Sequence, residues 1–272
     1  VTSNIRHAAT TVASAVPGAL SQVTGAPDAG DAHAPEDRGT SDRQHAVVSG
    51  VSSGIGLAIA QRLLNDGWRV TGLCRSKHIA ALADHEAAGR LSIVPVDLGN
   101  PIQRREVAAT LAPADALVHA AGLMRTAPAG ELDPAALASM WEVHVAAAAD
   151  LADALLPRMI PGGRVVLIGS RTANGAAGRS QYAATKAALV GMARSWAGEA
   201  ITRGITVNVV APGATDTPFL NGAGRSGTPP RMPPLGRFVH PDEVAALTAF
   251  LLGDAAAAIT GQQIVMCGGA SL

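Results

Sequence analysis

The stretch His45-Ala-Val-Val-Ser-Gly50-Val-Ser-Ser-Gly54-Ile-Gly56-Leu-Ala-Ile-Ala60 decides how this chain folds. His45 to Gly50 is a short apolar run that reads as a strand, and an amphipathic segment from Ile55 to about Asp66 reads as a helix. Gly50, Gly54 and Gly56 stand between them. Glycines permit a tight turn and a close backbone approach, and a helix N-terminus offers unpaired N–H groups and a partial positive charge. A strand, a bare turn and a helix therefore predict a pyrophosphate cradle; the alternative reading is a glycine turn that only packs helix against strand. The spacing is neither G-x-G-x-x-G nor a P-loop, since no Lys-Ser/Thr pair follows.

The same alternation continues outward. Arg69 to Arg75, Leu91 to Leu98, Ala116 to Ala121, Gly163 to Ser170, Thr206 to Ala211 and Gln263 to Cys267 read as further strands. Helical segments are expected to begin near Ser76, Pro101, Asp133, Ser180 and Pro241. Seven strands alternating with helices make βαβ units and a parallel sheet. The strands are nearly continuous in Val, Ile and Leu, so helices should cover both sheet faces. Ligands of such a sheet bind at the carboxyl ends of its strands.

With 272 residues, 48% hydrophobic and 15% charged, the chain suits one large core, a single α/β domain over 45–272. A formal net charge of zero and 3% aromatics leave neither the basic footprint nor the stacking surface of a nucleic-acid binder. No apolar run reaches the roughly 20 residues of a membrane span, so a soluble, cytoplasmic protein is expected. Cys74 and Cys267 have no metal-type spacing and read as reduced thiols. Residues 1–44, rich in Ala, Pro, Gly, Ser and Thr, read as a disordered N-terminal extension; Arg6 and the absence of acids before Asp28 resemble a transit peptide only loosely. Residues 214–240, with Pro218, Phe219, Pro229, Pro230, Pro233 and Pro234, several glycines, and Arg225 and Arg231, are poor helix material and read as a mobile substrate lid. The two arginines either meet an anionic substrate group or are solvated.

Tyr182 and Lys186 lie four apart in an alanine-rich helical segment, on one face. A phenol with a pKa near ~10 needs roughly 4 kcal/mol of phenolate stabilisation to titrate near pH 7. A unit charge about 4 Å away at an effective dielectric of about 20 supplies roughly that. The pair suits a general acid/base, although such spacing also arises on ordinary helix surfaces.

Taken together, these motifs resemble the short-chain dehydrogenase/reductase family over about residues 45 to 272. Gly50 to Gly56 resembles its G-x-x-x-G-x-G loop, His119-Ala-Ala-Gly122 its N-N-A-G segment, and Ser170 with Tyr182-x-x-x-Lys186 its catalytic set. Asn208-Val-Val-Ala-Pro-Gly213 leading to Thr217, and Thr260-Gly261 leading to Gly268-Gly269, match as well. The resemblance implies a doubly wound, Rossmann-type α/β fold with a seven-stranded parallel sheet. It also implies interconversion of a secondary alcohol or 3-hydroxyacyl group with a ketone or 3-oxoacyl group. Tyr182 would move the proton, Lys186 would lower the tyrosine pKa and hold the nicotinamide ribose, and Ser170 would orient the substrate oxygen. The cofactor would lie against Gly50, Ser52, Ser53, Ile55, Gly56, Arg75, Asp97, Leu98, Ala121, Gly122, Tyr182, Lys186, Pro212, Gly213, Thr215 and Thr217. A small-molecule carbonyl or alcohol would be the partner, and a homotetramer or homodimer the assembly. Read from the residues alone, Asp97 is equally a turn acid and Ser170 an N-cap.

Three departures stand out. His144 occupies the place of the family's helical Asn, where it either replaces that residue in a proton relay or holds the helix by a backbone bond. His119 and Ala120 replace two asparagines, and Ser170 and Tyr182 are twelve positions apart, one fewer than is common. After the second strand, Cys74-Arg75-Ser76 lacks the acid that accepts ribose hydroxyls, and Arg75 offers a fork to a phosphate, so NADP(H) is favoured over NAD(H). Two other readings remain: a noncatalytic nucleotide-binding or interaction protein on the same fold, and an epimerase or dehydratase.

Overall fold

The computed structural model describes residues 44–221 and 230–272. The expectation for residues 1–44 therefore falls almost wholly outside the described residues, as does the middle of the 214–240 segment. The described chain runs β1 (His45–Ser49), α1 (Gly54–Asn65), β2 (Arg69–Cys74), α2 (Ala83–Ala87), β3 (Leu91–Pro95), α3 (Pro101–Thr110) and β4 (Ala116–His119). It continues through α4 (Pro134–Trp141), α5 (Ala147–Leu155), β5 (Arg164–Ile168), α6 (Ser180–Ala200), β6 (Thr206–Pro212), α7 (Pro241–Leu252) and β7 (Gln263–Met266).

The seven strands form one parallel sheet in the order β3-β2-β1-β4-β5-β6-β7. Winding reverses between β1 and β4, which opens a crevice at their carboxyl ends. Alternate residues of a strand serve opposite faces, and the core obeys this. Ala46, Val48, Val166, Ile168 and Val210 pack under Ile59, Leu63 and Leu64 of α1 and Val244 and Leu251 of α7. Val47, Leu117, Val165, Leu167 and Val209 pack against Leu151 and Leu155 of α5 and Leu189 and Ala193 of α6. Both faces are thus covered, as the unbroken apolar strands require. Each fully buried leucine contributes about 1.5–3 kcal/mol. Among the described residues no helix is long and apolar enough to cross a membrane.

Helix starts follow local chemistry. Asn100 accepts from Ile102 and Gln103 N–H ahead of Pro101, and Asp133 accepts from Ala135 N–H ahead of Pro134. His240 and Glu243 form a reciprocal cap on α7. The helix expected from Ser76 is corrected: a 3₁₀ turn begins at Ala80 and α2 spans only five residues. Ile79 and Leu82 are its buried anchors and α2 buries none, too little apolar surface to hold a longer helix. Two strands end sooner than the apolar runs predict: Ser170 lies beyond β5 and Asp97 beyond β3.

Candidate active site

All the residues predicted for the catalytic and cofactor sites line one cleft of about 1530 Å³ over the carboxyl ends of the strands, while Arg225 lies outside the described residues. Its floor is the glycine turn. Gly50 has φ 78, and a Cβ there would stand 2.8 Å from the Ala121 backbone, so β1 and β4 meet only because the position is bare. A Cβ on Gly56 would stand 2.2 Å from the Gly50 carbonyl oxygen, so this residue lets α1 sit directly on the turn. Ser53, the residue before α1, makes no side-chain cap, and the first-turn N–H groups have no intrahelical acceptor. Ser52, Ser53 and Ile55 border this turn, with Thr217 facing Gly54 from across the cleft. An anionic pyrophosphate fits such a turn. Arg75 stands exposed at the end of β2 on the same cleft, where its fork suits a further phosphate.

Asp97 and Leu98 line the cleft beyond Arg75. The Asp97 carboxylate accepts from Gly99 N–H at 2.9 Å, so its turn role is present alongside its place in the wall. Ala121 and Gly122 follow β4, and Pro212, Gly213, Thr215 and Thr217 follow β6. The base of the 214–240 segment is pinned, because Val239 N–H donates to Ala214 and Asp216 N–H to Val239.

On the opposite wall α6 carries Tyr182 and Lys186, both 5% exposed, beside Ser170 at 9%. Ser170 Oγ accepts from Thr172 N–H at 3.1 Å, which leaves its hydroxyl proton to donate elsewhere. Lys186 Nζ donates to the Ile168 carbonyl at 2.8 Å. Burial pushes the Lys186 pKa down from 10.5 to about 7, because the ammonium loses water and gains one neutral acceptor.

His144 sits in a wide π-helical turn, Glu142–Ala146, that joins α4 to α5. Such turns are rare and gather at functional sites. Leu123 N–H donates to His144 Nε2 at 3.0 Å, and a backbone amide can only donate, so the ring proton is on Nδ1. Nδ1–H then donates to Thr185 Oγ1 at 2.9 Å, and the Thr185 hydroxyl donates to the Tyr182 carbonyl at 2.9 Å. The imidazole also meets the Tyr182 ring edge-on, with centroids 5.6 Å apart. Both nitrogens are occupied. Burial, then the Lys186 charge and the nearness of the His119 imidazole, hold the His144 pKa well below 6.5, so the ring stays neutral.

His119 mirrors this arrangement. Its Nε2–H donates to the Val143 carbonyl at 3.1 Å, and its Nδ1 accepts from Ser49 Oγ at 2.9 Å. Ser49 Oγ in turn accepts from Ala120 and Ala121 N–H. Burial and the Lys186 charge lower the His119 pKa to about 3. Two neutral histidines therefore fasten the loop after β4 to the π turn, one at each side of Gly122.

A family model described as "Enoyl-(Acyl carrier protein) reductase" matches residues 50–271. The solved structure of a short chain dehydrogenase from Burkholderia cenocepacia J2315 in complex with NADP superposes with a TM-score of 0.76 at 34% identity, covering 84% of this chain and 98% of that one. The chain belongs to the short-chain dehydrogenase/reductase family. As a member of that family it is an oxidoreductase. The 3-oxoacyl-[acyl-carrier-protein] reductase FabG of Escherichia coli K12 is 34% identical over 236 residues, 82% of this chain and 96% of the relative. Carbonyl reductase family member 4 of Xenopus tropicalis is 35% identical over 232 residues, 83% and 97% respectively. A blue fluorescent protein from a metagenomic library, solved with NADPH, gives a TM-score of 0.77 at 34% identity over 84% of this chain and 98% of that one.

Several residues that shape this dehydrogenase/reductase site were not singled out from sequence. Thr185, inside the Tyr-x-x-x-Lys motif, is the hydroxyl that receives His144. Arg104, 2% exposed, donates to Asp150 at 2.6 Å, Glu142 at 3.0 Å and the Leu98 carbonyl at 2.9 Å, tying α3 to the π turn and α5. Its signal was an arginine on the apolar face of an otherwise ordinary helix. Arg171 and Arg179 flank the loop between Ser170 and Tyr182 and also line the cleft.

Proposed function

We propose that this oxidoreductase reduces a ketone or 3-oxoacyl compound to the corresponding alcohol with NADPH. The observation that carries the reading is the juxtaposition, in one cleft, of buried Ser170, Tyr182 and Lys186 with the bare Gly50–Gly56 turn. NADPH bound along that turn would supply a hydride to the carbonyl carbon. Ser170 Oγ–H donates to the carbonyl oxygen and fixes its position, and Tyr182 Oη–H delivers the proton that the resulting alkoxide needs. Lys186 stands one helical turn from Tyr182 and, in its ammonium form, favours the phenolate left behind. Solvent then returns the proton. Arg75 would hold the adenosine phosphate, which selects NADP(H) over NAD(H); the NADPH and NADP in the complexes of the two solved relatives support that choice. FabG and the carbonyl reductase relative support the substrate class.

His144 acts as a positioning residue. Its lone pair and its proton are both committed, so it has no free site for shuttling, and what it does is hold Leu123 and the Tyr182 backbone in register. A panel of ketones and 3-oxoacyl thioesters followed by NADPH absorbance, with NADH in parallel, tests the proposal. Turnover of at least one class with NADPH is expected. Cofactor binding without turnover on any carbonyl or alcohol would overturn it in favour of a noncatalytic nucleotide binder.

A further inference from the structure

Arg104 is a guanidinium buried where an apolar side chain would pack. It is 2% exposed, among α3, α5 and the π turn. Its Nε donates to Asp150 at 2.6 Å, and its Nη1 is shared between the Glu142 carboxylate at 3.0 Å and the Leu98 carbonyl at 2.9 Å. Asp150 and Glu142 stay partly in solvent, at 25% and 39% exposure, so the arginine bears most of the desolvation. Well-packed apolar side chains hold helices together at least as firmly as a buried ion cluster, so packing alone does not account for an arginine here. What its fork adds is direction, because it fixes the groups that it joins at set angles.

The groups so joined belong to two different parts of the site. Leu98 stands with Asp97 in the cleft wall beyond Arg75, where adenosine would lie. Glu142 opens the π turn. The turn meets the same wall a second time, because a Cβ on Gly99 would stand 3.5 Å from Val143 Cγ2. Val143 is in turn fixed at its carbonyl by His119, and His144 reaches the Tyr182 backbone through Thr185. Three successive residues of the turn are thus held from outside their own helix: Glu142 by the adenosine wall, Val143 by β4 and His144 by α6. Leu98 follows β3 at one edge of the sheet, whereas α6 leads into β6 near the other. A ligand held at the adenosine wall therefore acts on Tyr182 through the protein.

We infer that Arg104 is a positioning residue for the reduction: it sets the π turn against the adenosine wall, so that filling this wall and placing Tyr182 are coupled. This rests on the NADPH-dependent reductase reading and adds to it a route from the adenosine end of the cleft to the proton donor. A ligand against Leu98 confines its carbonyl, Arg104 carries the constraint to Glu142, and His144 and Thr185 carry it to Tyr182. If the route is real, cutting it at Arg104 or Glu142 removes the coupling without removing the ligand.

Tyr182 is the only tyrosine of the chain and can report on itself. Protein carrying ring-labelled tyrosine is titrated by NMR with adenosine 2′,5′-bisphosphate, which has the adenosine half of NADPH and no nicotinamide. The Tyr182 ring signals of the wild type should move as the site fills. In Arg104→Met and Glu142→Ala that movement should be lost, although calorimetry shows the ligand bound to all three proteins. Glu142 is partly exposed, so its truncation serves if Arg104→Met does not fold. With NADPH and a carbonyl substrate both variants should lose about tenfold in kcat while the KM for NADPH changes by less than about threefold, the split of a misplaced reacting group rather than a lost binding contact. Arg105→Gln is the control: Arg105 is 74% exposed and 3.8 Å from Asp150, and its variant should match the wild type in both measurements. Failure of the bisphosphate to bind the wild type would overturn the cofactor assignment and the coupling with it. Binding that leaves the Tyr182 signals still, or moves them equally in the variants, would overturn the coupling and leave the reductase standing. A raised KM with unchanged kcat would reduce Arg104 to a support of the wall and overturn its positioning role.

Discussion

Lys186→Met should make the cofactor-free protein more stable at pH 7 while destroying its usefulness. Lys186 is fully buried and its pKa falls from 10.5 to about 7 through desolvation alone. At 1.36 kcal/mol per pH unit, that fall means the fold is penalised by roughly 5 kcal/mol whenever this lysine is charged in the unfolded chain and must be buried. The sign follows from proton counting. Between pH 7 and about 10.5 the unfolded chain binds the extra proton, so stability rises with pH. Below about 7 the penalty is complete and constant, and above about 10.5 it is gone. Methionine fills similar space without a charge but abandons the Ile168 carbonyl, which costs roughly 1–3 kcal/mol. At pH 7 the variant should therefore be ahead by about 2 kcal/mol, and by pH 10 the wild type should have drawn level or passed it. Urea unfolding of both proteins at pH 6, 8 and 10 without cofactor gives the difference directly, and groups common to both, such as Cys74, cancel. A wild-type-minus-variant difference that does not move with pH would refute the buried-ammonium reasoning.

Three further outcomes follow from the site. Arg75→Asp should lower the NADPH-to-NADH ratio of kcat/KM by at least about tenfold, since it exchanges a phosphate fork for a ribose acceptor; an unchanged ratio would remove Arg75 from cofactor choice. His144→Ala should cut kcat by roughly tenfold, and Thr185→Val should do the same in part, with the pH–rate profile between 5 and 8 keeping its shape. Nitrogen NMR of the wild type should show the Nδ1–H tautomer of His144 throughout that range, whereas a changed profile limb in the variants would restore the relay role. Gly56→Ala drives a methyl group into the Gly50 carbonyl and should abolish NADPH binding or folding, which cofactor fluorescence and circular dichroism distinguish.

Elements whose cues are local were legible in the sequence. β1, β5 and β6 are runs of β-branched residues buried on both faces, and the starts of α3, α4 and α7 carry Asn100, Asp133 and His240 ahead of proline. The cleft was legible because the site residues end strands or begin helices, and a parallel sheet gathers such ends. What failed to show depends on distance along the chain. The tautomer of His144 is fixed by Leu123 and Thr185, 21 and 41 positions away, and no local pattern reports either bond. The partner of Arg104 is Asp150, 46 positions on, a separation that no local pattern in α3 reports. The segment after Ser76 carried helix formers, but α2 has no buried face for them to serve.

The central claim, that Tyr182 delivers the proton, is tested most directly by Tyr182→Phe. The phenyl ring keeps the edge contact with His144 and leaves Lys186 on the Ile168 carbonyl, so the cleft is preserved while the hydroxyl alone is lost. Single-turnover NADPH oxidation with the best carbonyl substrate should slow by about a thousandfold or more, within the range for a general acid, while NADPH binds with its wild-type affinity. Oxidation at the wild-type rate would contradict the account.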